Sequence, residues 1–276
     1  VESKDVAATV TGDPHPESPV LLTRENGVGR VTLNRPKAAN SIDVALARAL
    51  METAIECDED DSIRCVLLTG AGRIFCAGGD ISGFGAAGDK IPALVKELTA
   101  YIHSAISRFS RMNKPMVVAV NGPAAGAGFG FALLGDIVLA AESAHFTMAY
   151  TAIGLSPDGG TTWLLPRLAG LRRAQEWAVT NKRILAAEAL ETGLITRVVA
   201  DDVLAGEAFD LAAQLAGSAV RAIGRTRNLL LESFGNSLET HLELEARGIA
   251  AGGRDSEGKE GIAAFLAKRK PDFWPA

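Results

Sequence analysis

A chain of 276 residues with 47% hydrophobic side chains can bury a large core, as one domain or as a domain with a helical appendix. Thirty-three acidic against 28 basic residues give a net charge of -5 without a long Lys/Arg block, so neither nucleic acid nor a membrane surface is indicated as a partner. Charges such as Asp136 interrupt the apolar runs, no signal-peptide core is seen, and Cys57, Cys65 and Cys76 form no CxxC pair, which together predict a cytoplasmic protein.

Residues 1–19 are polar, carry three prolines and have no period, so they read as a flexible N-terminal tail. Leu21 to Arg24 and Val28 to Leu33 flank Glu25-Asn26-Gly27, and the Asn-Gly pair predicts a hairpin. Asn40-Ser41 opens a predicted helix reaching about Cys57, with Ile42, Leu46 and Leu50 on one face and the acidic run Asp58 to Asp61 at its end. Arg64 to Gly70 is a continuous apolar run, as expected of a strand covered on both faces. A Gly-rich segment after Gly78-Gly79-Asp80 reads as mobile, and a helix from Ile91 to Met112 follows. Then come a strand at Met116 to Val120, a small-residue loop, and a helix beginning at Phe131. Ile137 to Ala140 and His145 to Met148 are further strands, and helical periodicity dominates from Trp163, with helices near 172–180, 186–192, 203–217, 219–234, 237–249 and 258–269. Strand and helix alternate as in right-handed crossover units, giving an α/β core over 20–200 and a helical region over 201–276.

Several familiar motifs fail. Gly126-Ala127-Gly128 lacks the third glycine of a dinucleotide loop, because position 131 is Phe. Gly253 to Lys259 matches GxxxxGK, yet Glu260 stands where a phosphate loop needs Ser or Thr. His15, His103, His145 and His241 show no metal-ligand spacing, and no metal is expected. What the loop from Gly122 to Gly130 can offer is its backbone, since small residues admit a ligand and free N–H groups at a helix start attract negative charge.

Leu33-Asn34-Arg35-Pro36, Phe75-Cys76-Ala77-Gly78-Gly79-Asp80, Ala119-Val120-Asn121-Gly122, Gly135-Asp136 and Glu260-Gly261 to Lys268-Arg269-Lys270-Pro271 occur in that order. This series, spanning about Leu21 to Trp274, resembles the enoyl-CoA hydratase/isomerase (crotonase) superfamily. The resemblance implies an α/β spiral of ββα units with a helical C-terminal trimerisation region, a homotrimer or hexamer, and an acyl-CoA thioester ligand whose coenzyme A belongs to the substrate. It further implies that the backbone N–H groups of Gly79 and Ala127 form an oxyanion hole for a thioester enolate. Loss of one such donor typically costs about 100- to 1,000-fold in rate. By the same resemblance Lys37, Ala38, Ala77, Asp80 and Ile81 line the CoA groove, and Phe265 and Lys268 contact CoA held by a neighbouring subunit.

Hydratases of this family place two glutamates around the attacking water, and the matching positions here are Gly130 and Tyr150. Hydration by that route needs an acid and a base that these residues cannot supply. Asp158, in Ser156-Pro157-Asp158-Gly159, has the sequence setting of a turn residue. The surrounding stretch, through Thr162-Trp163-Leu164-Leu165-Pro166-Arg167, is similar to the phenylacetate-pathway isomerase branch. There an aspartate at this place moves a proton between carbons of an unsaturated acyl chain. The position also matches the nucleophilic aspartate of the 4-chlorobenzoyl-CoA dehalogenase branch, with His103 at the place of its water-activating histidine and Tyr150 at the place of a substrate-facing tryptophan. The leading expectation is an acyl-CoA isomerase using Gly79, Ala127 and Asp158. Alternatives are a dehalogenase- or thioesterase-like enzyme using Asp158 and His103, a hydratase with a non-standard acid/base, and a non-catalytic acyl-CoA binder.

Overall fold

The computed structural model describes residues 17–274, so most of the predicted N-terminal tail lies outside the described residues. Strands β1 (Val20–Glu25) and β2 (Val28–Leu33) pair antiparallel from Val20↔Leu33 to Glu25↔Val28. Asn26 and Gly27 between them take φ of 51° and 75°, the positive pair that a two-residue hairpin turn requires. Helix α1 (Val44–Glu59) starts later than the sequence predicts, because Asp43 caps it by accepting from the Leu46 N–H at 2.8 Å. Asn40 has another task. It is fully buried, and its amide donates to the carbonyls of Ala71, Ile74 and Phe75 at 2.9, 2.7 and 3.1 Å.

Strand β3 (Cys65–Gly70) lies parallel to β2, and β4 (Met116–Val120) parallel to β3. The segment read as mobile is helix α2 (Ile81–Ala87); the Asp80 carboxylate caps it by accepting from the N–H groups of Ser82 and Gly83, which offsets its glycine content. Helix α3 (Ile91–Arg111) then crosses back, packing Leu98, Ile102, Ala105 and Phe109 into the core and against α1. After the short β5 (Ala124–Ala125), helix α4 (Ala127–Ala132) begins earlier than predicted, so Phe131 lies near its end. Strands β6 (Ile137–Ala141), β7 (His145–Thr147), β8 (Ile184–Leu185) and β9 (Arg197–Val199) complete two sheets. One sheet has the order β1-β2-β3-β4-β6-β9, parallel after the hairpin; the other has the order β5-β7-β8. Isolated parallel bridges Ile42↔Gly79 and Cys76↔Ala124 extend the second layer. Each turn of the chain therefore lays down one long strand and one short segment of the second layer, the repeated ββα spiral that the family resemblance implied.

Helices α5 (Thr161–Ala169), α6 (Leu171–Thr180) and α7 (Ala186–Glu191) lead to α8 (Leu204–Ala216), whose small buried residues Ala208, Ala212 and Ala216 let it lie close against β3 and β4. A bundle of α9 (Val220–Glu232), α10 (Leu238–Arg254) and α11 (Ser256–Leu266) follows. Arg227 of α9 is its buried anchor: it donates to Asp136 at 2.6 Å and to the carbonyls of Met112, Lys114 and Phe109. Asp136 in turn accepts from the Met116 N–H at 2.7 Å, which ties the Gly135-Asp136 motif to the start of β4. Among the described residues no helix is long and apolar enough to cross a membrane.

Candidate active site

The carboxyl ends of β3 and β4 carry the two small-residue loops, and these loops touch through their backbones. Gly78 has φ +91°, and a Cβ there would lie 2.9 Å from the Ala125 carbonyl oxygen and 3.3 Å from the Gly126 Cα. Gly126 itself has φ +54°. Larger residues would force the loops apart. In the Ile42↔Gly79 bridge, Ile42 donates to the Gly78 carbonyl and accepts from the Asp80 N–H, so the N–H of Gly79 points the other way. Ala127 opens α4, where the first amides have no partner within the helix. Neither the Gly79 nor the Ala127 N–H meets a protein acceptor among the described residues.

Both residues line one cavity of about 480 Å³. Its walls are mostly apolar: Phe84 from α2, Val95, Leu98 and Ile102 from α3, and Ile153 and Leu155 from the loop before α5. The Phe84 ring covers Gly79, since a Cβ on that glycine would meet Phe84 Cζ at 3.0 Å. Of the residues that line the cavity, Asp158 is the one carboxylate. Its Oδ1 accepts a hydrogen bond of 2.6 Å from the Tyr150 hydroxyl, and its Oδ2 lies 3.9 Å from His103 Nε2, beyond hydrogen-bond distance. Among the described residues no turn N–H donates to the carboxylate; the Asp158 carbonyl instead accepts from the N–H and hydroxyl of Thr161 at 3.2 and 2.7 Å. Burial, followed by the charge and hydrogen bond of Asp158, pushes the Tyr150 phenol pKa upward, so it stays a neutral donor.

Gly130 has no room for a larger side chain. A Cβ there would sit 2.6 Å from the Gly159 carbonyl oxygen and 3.1 Å from Thr161 Cγ2, so the loop bearing Asp158 fills the space that a glutamate side chain would need. Tyr150, the second position, reaches the same loop.

The structure brings Gly79, Ala127, Asp158, Ala77 and Ile81 to one cavity. His103 lies at its margin, 53% exposed. Lys37 is exposed and Ala38 partly exposed on the turn at Pro36–Ala38, and Asp80 is engaged as the α2 cap and with Arg35 at 3.3 Å. Phe265, 83% exposed, and Lys268 lie at the end of α11 and do not line this cavity of the single chain. Among the described residues no group of three or more His, Cys, Asp and Glu could hold a metal. Two contributors escaped sequence reasoning. Phe84 sits in a segment whose glycines masked the helix, and the Tyr150 bond spans the irregular stretch between β7 and α5, where no periodic pattern places side chains.

Residues 23–275 match the family model described as enoyl-CoA hydratase/isomerase. The chain is similar to the 1,2-epoxyphenylacetyl-CoA isomerase of Escherichia coli (strain K12), 42% identical over 92% of this chain and 97% of that one. It is also similar to 4-chlorobenzoyl coenzyme A dehalogenase-2 of an Arthrobacter species, 31% identical over 90% and 91% of the two chains. Among solved structures, an enoyl-CoA hydratase from Polaromonas sp. JS666 superposes with a TM-score of 0.87 at 34% identity, covering 92% of this chain and 98% of that one. Sequence, fold and the geometry of the two loops agree: the chain belongs to the enoyl-CoA hydratase/isomerase family, the crotonase superfamily of acyl-CoA-binding enzymes.

Proposed function

We propose that the protein is an acyl-CoA isomerase that shifts a double bond of an enoyl-CoA through a thioester enolate. The carrying observation is the cavity that joins the Gly79 and Ala127 amides, which meet no protein acceptor among the described residues, to the one carboxylate that lines it, Asp158. The amides stabilise charge that builds on the thioester oxygen in the transition state more than they stabilise the neutral ground state. Asp158 takes a proton from Cα and returns it at Cγ, which needs one acid/base group, whereas hydration needs a second group that Gly130 and Tyr150 do not supply. The relative named as an isomerase supports the same choice.

Incubation with a 3-enoyl-CoA in deuterated water tests this reading. The expected result is formation of the 2-enoyl isomer, with deuterium entering at Cα or Cγ as the proton held on Asp158 exchanges with water before it is returned, and loss of both in Asp158→Asn with acyl-CoA binding kept. Binding with neither exchange nor turnover would identify a non-catalytic binder instead.

A second reading has one observation in its favour, the approach of His103 Nε2 to Asp158 Oδ2. In it Asp158 attacks the substrate and His103 activates water for dehalogenation or thioester hydrolysis. A covalent Asp158 adduct, or CoA release that depends on His103, would establish that route. Assembly as a trimer or hexamer is part of the proposal, supported by exposed Ile249, Ile262 and Phe265 on α10 and α11; there Phe265 and Lys268 would reach CoA bound by another copy. The unpaired, buried cysteines fit a reducing, cytoplasmic setting.

A further inference from the structure

Tyr150 ties the two halves of the site together. A Cβ on Gly126 would lie 3.8 Å from Tyr150 Cζ, so the ring runs beside the residue that precedes the Ala127 amide, while its hydroxyl ends on Asp158. Its own backbone is held as well: the Tyr150 carbonyl accepts from the N–H groups of Ile153 and Leu155, both at 3.1 Å. One carboxylate oxygen is thus occupied. The other, Oδ2, has no protein group within hydrogen-bond distance among the described residues, the His103 approach of 3.9 Å being the nearest ion-pair contact.

We propose that Tyr150 is a positioning residue for the reaction: by holding Oδ1 it fixes the Asp158 carboxylate and leaves Oδ2 as the oxygen that carries the proton. The inference rests on the isomerase reading above. In that reaction Oδ2 accepts the Cα proton, and the C–H electron pair passes into the thioester, leaving a dienolate with its charge on the carbonyl oxygen at the Gly79 and Ala127 amides. The proton then leaves Oδ2 for Cγ. The electrons return to rebuild the thioester carbonyl, and the double bond lies between Cα and Cβ. No other reactant is consumed. A carboxylate without the phenol can turn about its Cβ–Cγ bond, and a misplacement of about 1 Å in such a group can cost about 100-fold.

The test compares wild type, Tyr150→Phe and Asp158→Asn on a 3-enoyl-CoA, with deuterium uptake in heavy water followed by NMR. Stoichiometric binding of an unreactive saturated acyl-CoA counts the competent sites, so a folding defect cannot pass for a positioning effect. For Tyr150→Phe the expected result is full binding stoichiometry, KM within about twofold, and kcat and Cα exchange both lowered about 10- to 100-fold. Unchanged kcat, or a change confined to KM, in a variant with full stoichiometry overturns the proposal. Should Tyr150→Phe bind poorly, Tyr150→His and Tyr150→Trp, which return an N–H donor, must exceed Tyr150→Leu in kcat per competent site; equality overturns it. Exchange that persists in Asp158→Asn sinks the isomerase reading itself, whereas an inert Asp158→Asn beside a fully active Tyr150→Phe sinks the role of Tyr150 alone.

Discussion

Gly130 is where the difference from a two-glutamate hydratase is built into packing. A Cβ there would stand 2.6 Å from the Gly159 carbonyl oxygen. An ordinary carbon-to-oxygen approach is about 3.3 Å, so Gly130→Ala must displace either α4 or the Asp158 loop by about 0.7 Å. Overpacking of this kind costs about 1–3 kcal/mol, while replacing a helical glycine by alanine returns about 1 kcal/mol. Sterics win, because the obstacle is backbone and not the movable end of a side chain. The net loss is up to about 2 kcal/mol, which lowers Tm by up to about 8 °C for a chain of this size. Gly159 adjoins Asp158, so the isomerase rate falls further than stability does, by up to about 100-fold. Gly130→Glu adds an unpaired buried carboxylate and costs several kcal/mol more by order of magnitude. The assays are thermal unfolding, 3-enoyl-CoA isomerisation and 2-enoyl-CoA hydration. A folded Gly130→Glu protein that hydrates 2-enoyl-CoA, or a Gly130→Ala protein with unchanged Tm and rate, would refute the reasoning.

Other expectations concern the frame around the site. Arg227→Ala removes a guanidinium that serves Asp136 and three carbonyls, and urea unfolding should show a loss of about 3–5 kcal/mol, the usual cost of breaking a buried charge pair. Asn40→Ala strips one donor group from three loop carbonyls between β3 and Gly79; stability should fall by about 1–3 kcal/mol, with reduced isomerase activity in the folded protein. Burial pushes the thiol pKa of Cys57 and Cys76 up to about 12, so a thiol reagent at pH 8 should label the native protein slowly and the unfolded protein at once. Unfolded thiols release protons near about pH 8.5 and native ones only near 12, so these groups bind more protons when folded and their contribution to stability declines as pH rises between those values.

The hairpin, the buried strands and the long helix α3 were legible because each rests on a local signal: an Asn-Gly turn, an apolar run, a helical period. Helices α2 and α4 were misjudged for one shared reason. Both contain glycines that lower helix propensity, and tertiary contacts override it: Asp80 caps α2, while Gly128 and Gly130 of α4 fit against the carbonyls of Cys76 and Gly159. The very short β8 and β9 carry too few residues to show alternation. Asp158 and the two amides were expected through an ordered set of motifs, not from residue chemistry, because a backbone donor leaves no side chain to recognise. The Tyr150 bond and the Phe84 wall depend on how separate loops meet, which one sequence does not encode as spacing.

The proposed chemistry depends most directly on what the Gly79 and Ala127 amides do to a bound thioester. Raman difference spectroscopy of an unreactive acyl-CoA carrying a 13C-labelled thioester carbonyl reads this without turnover. Two converging hydrogen bonds predict a carbonyl stretch at lower frequency in the complex than in water. A stretch at or above its value in water, with the ligand fully bound, would contradict the oxyanion hole and with it the proposed chemistry.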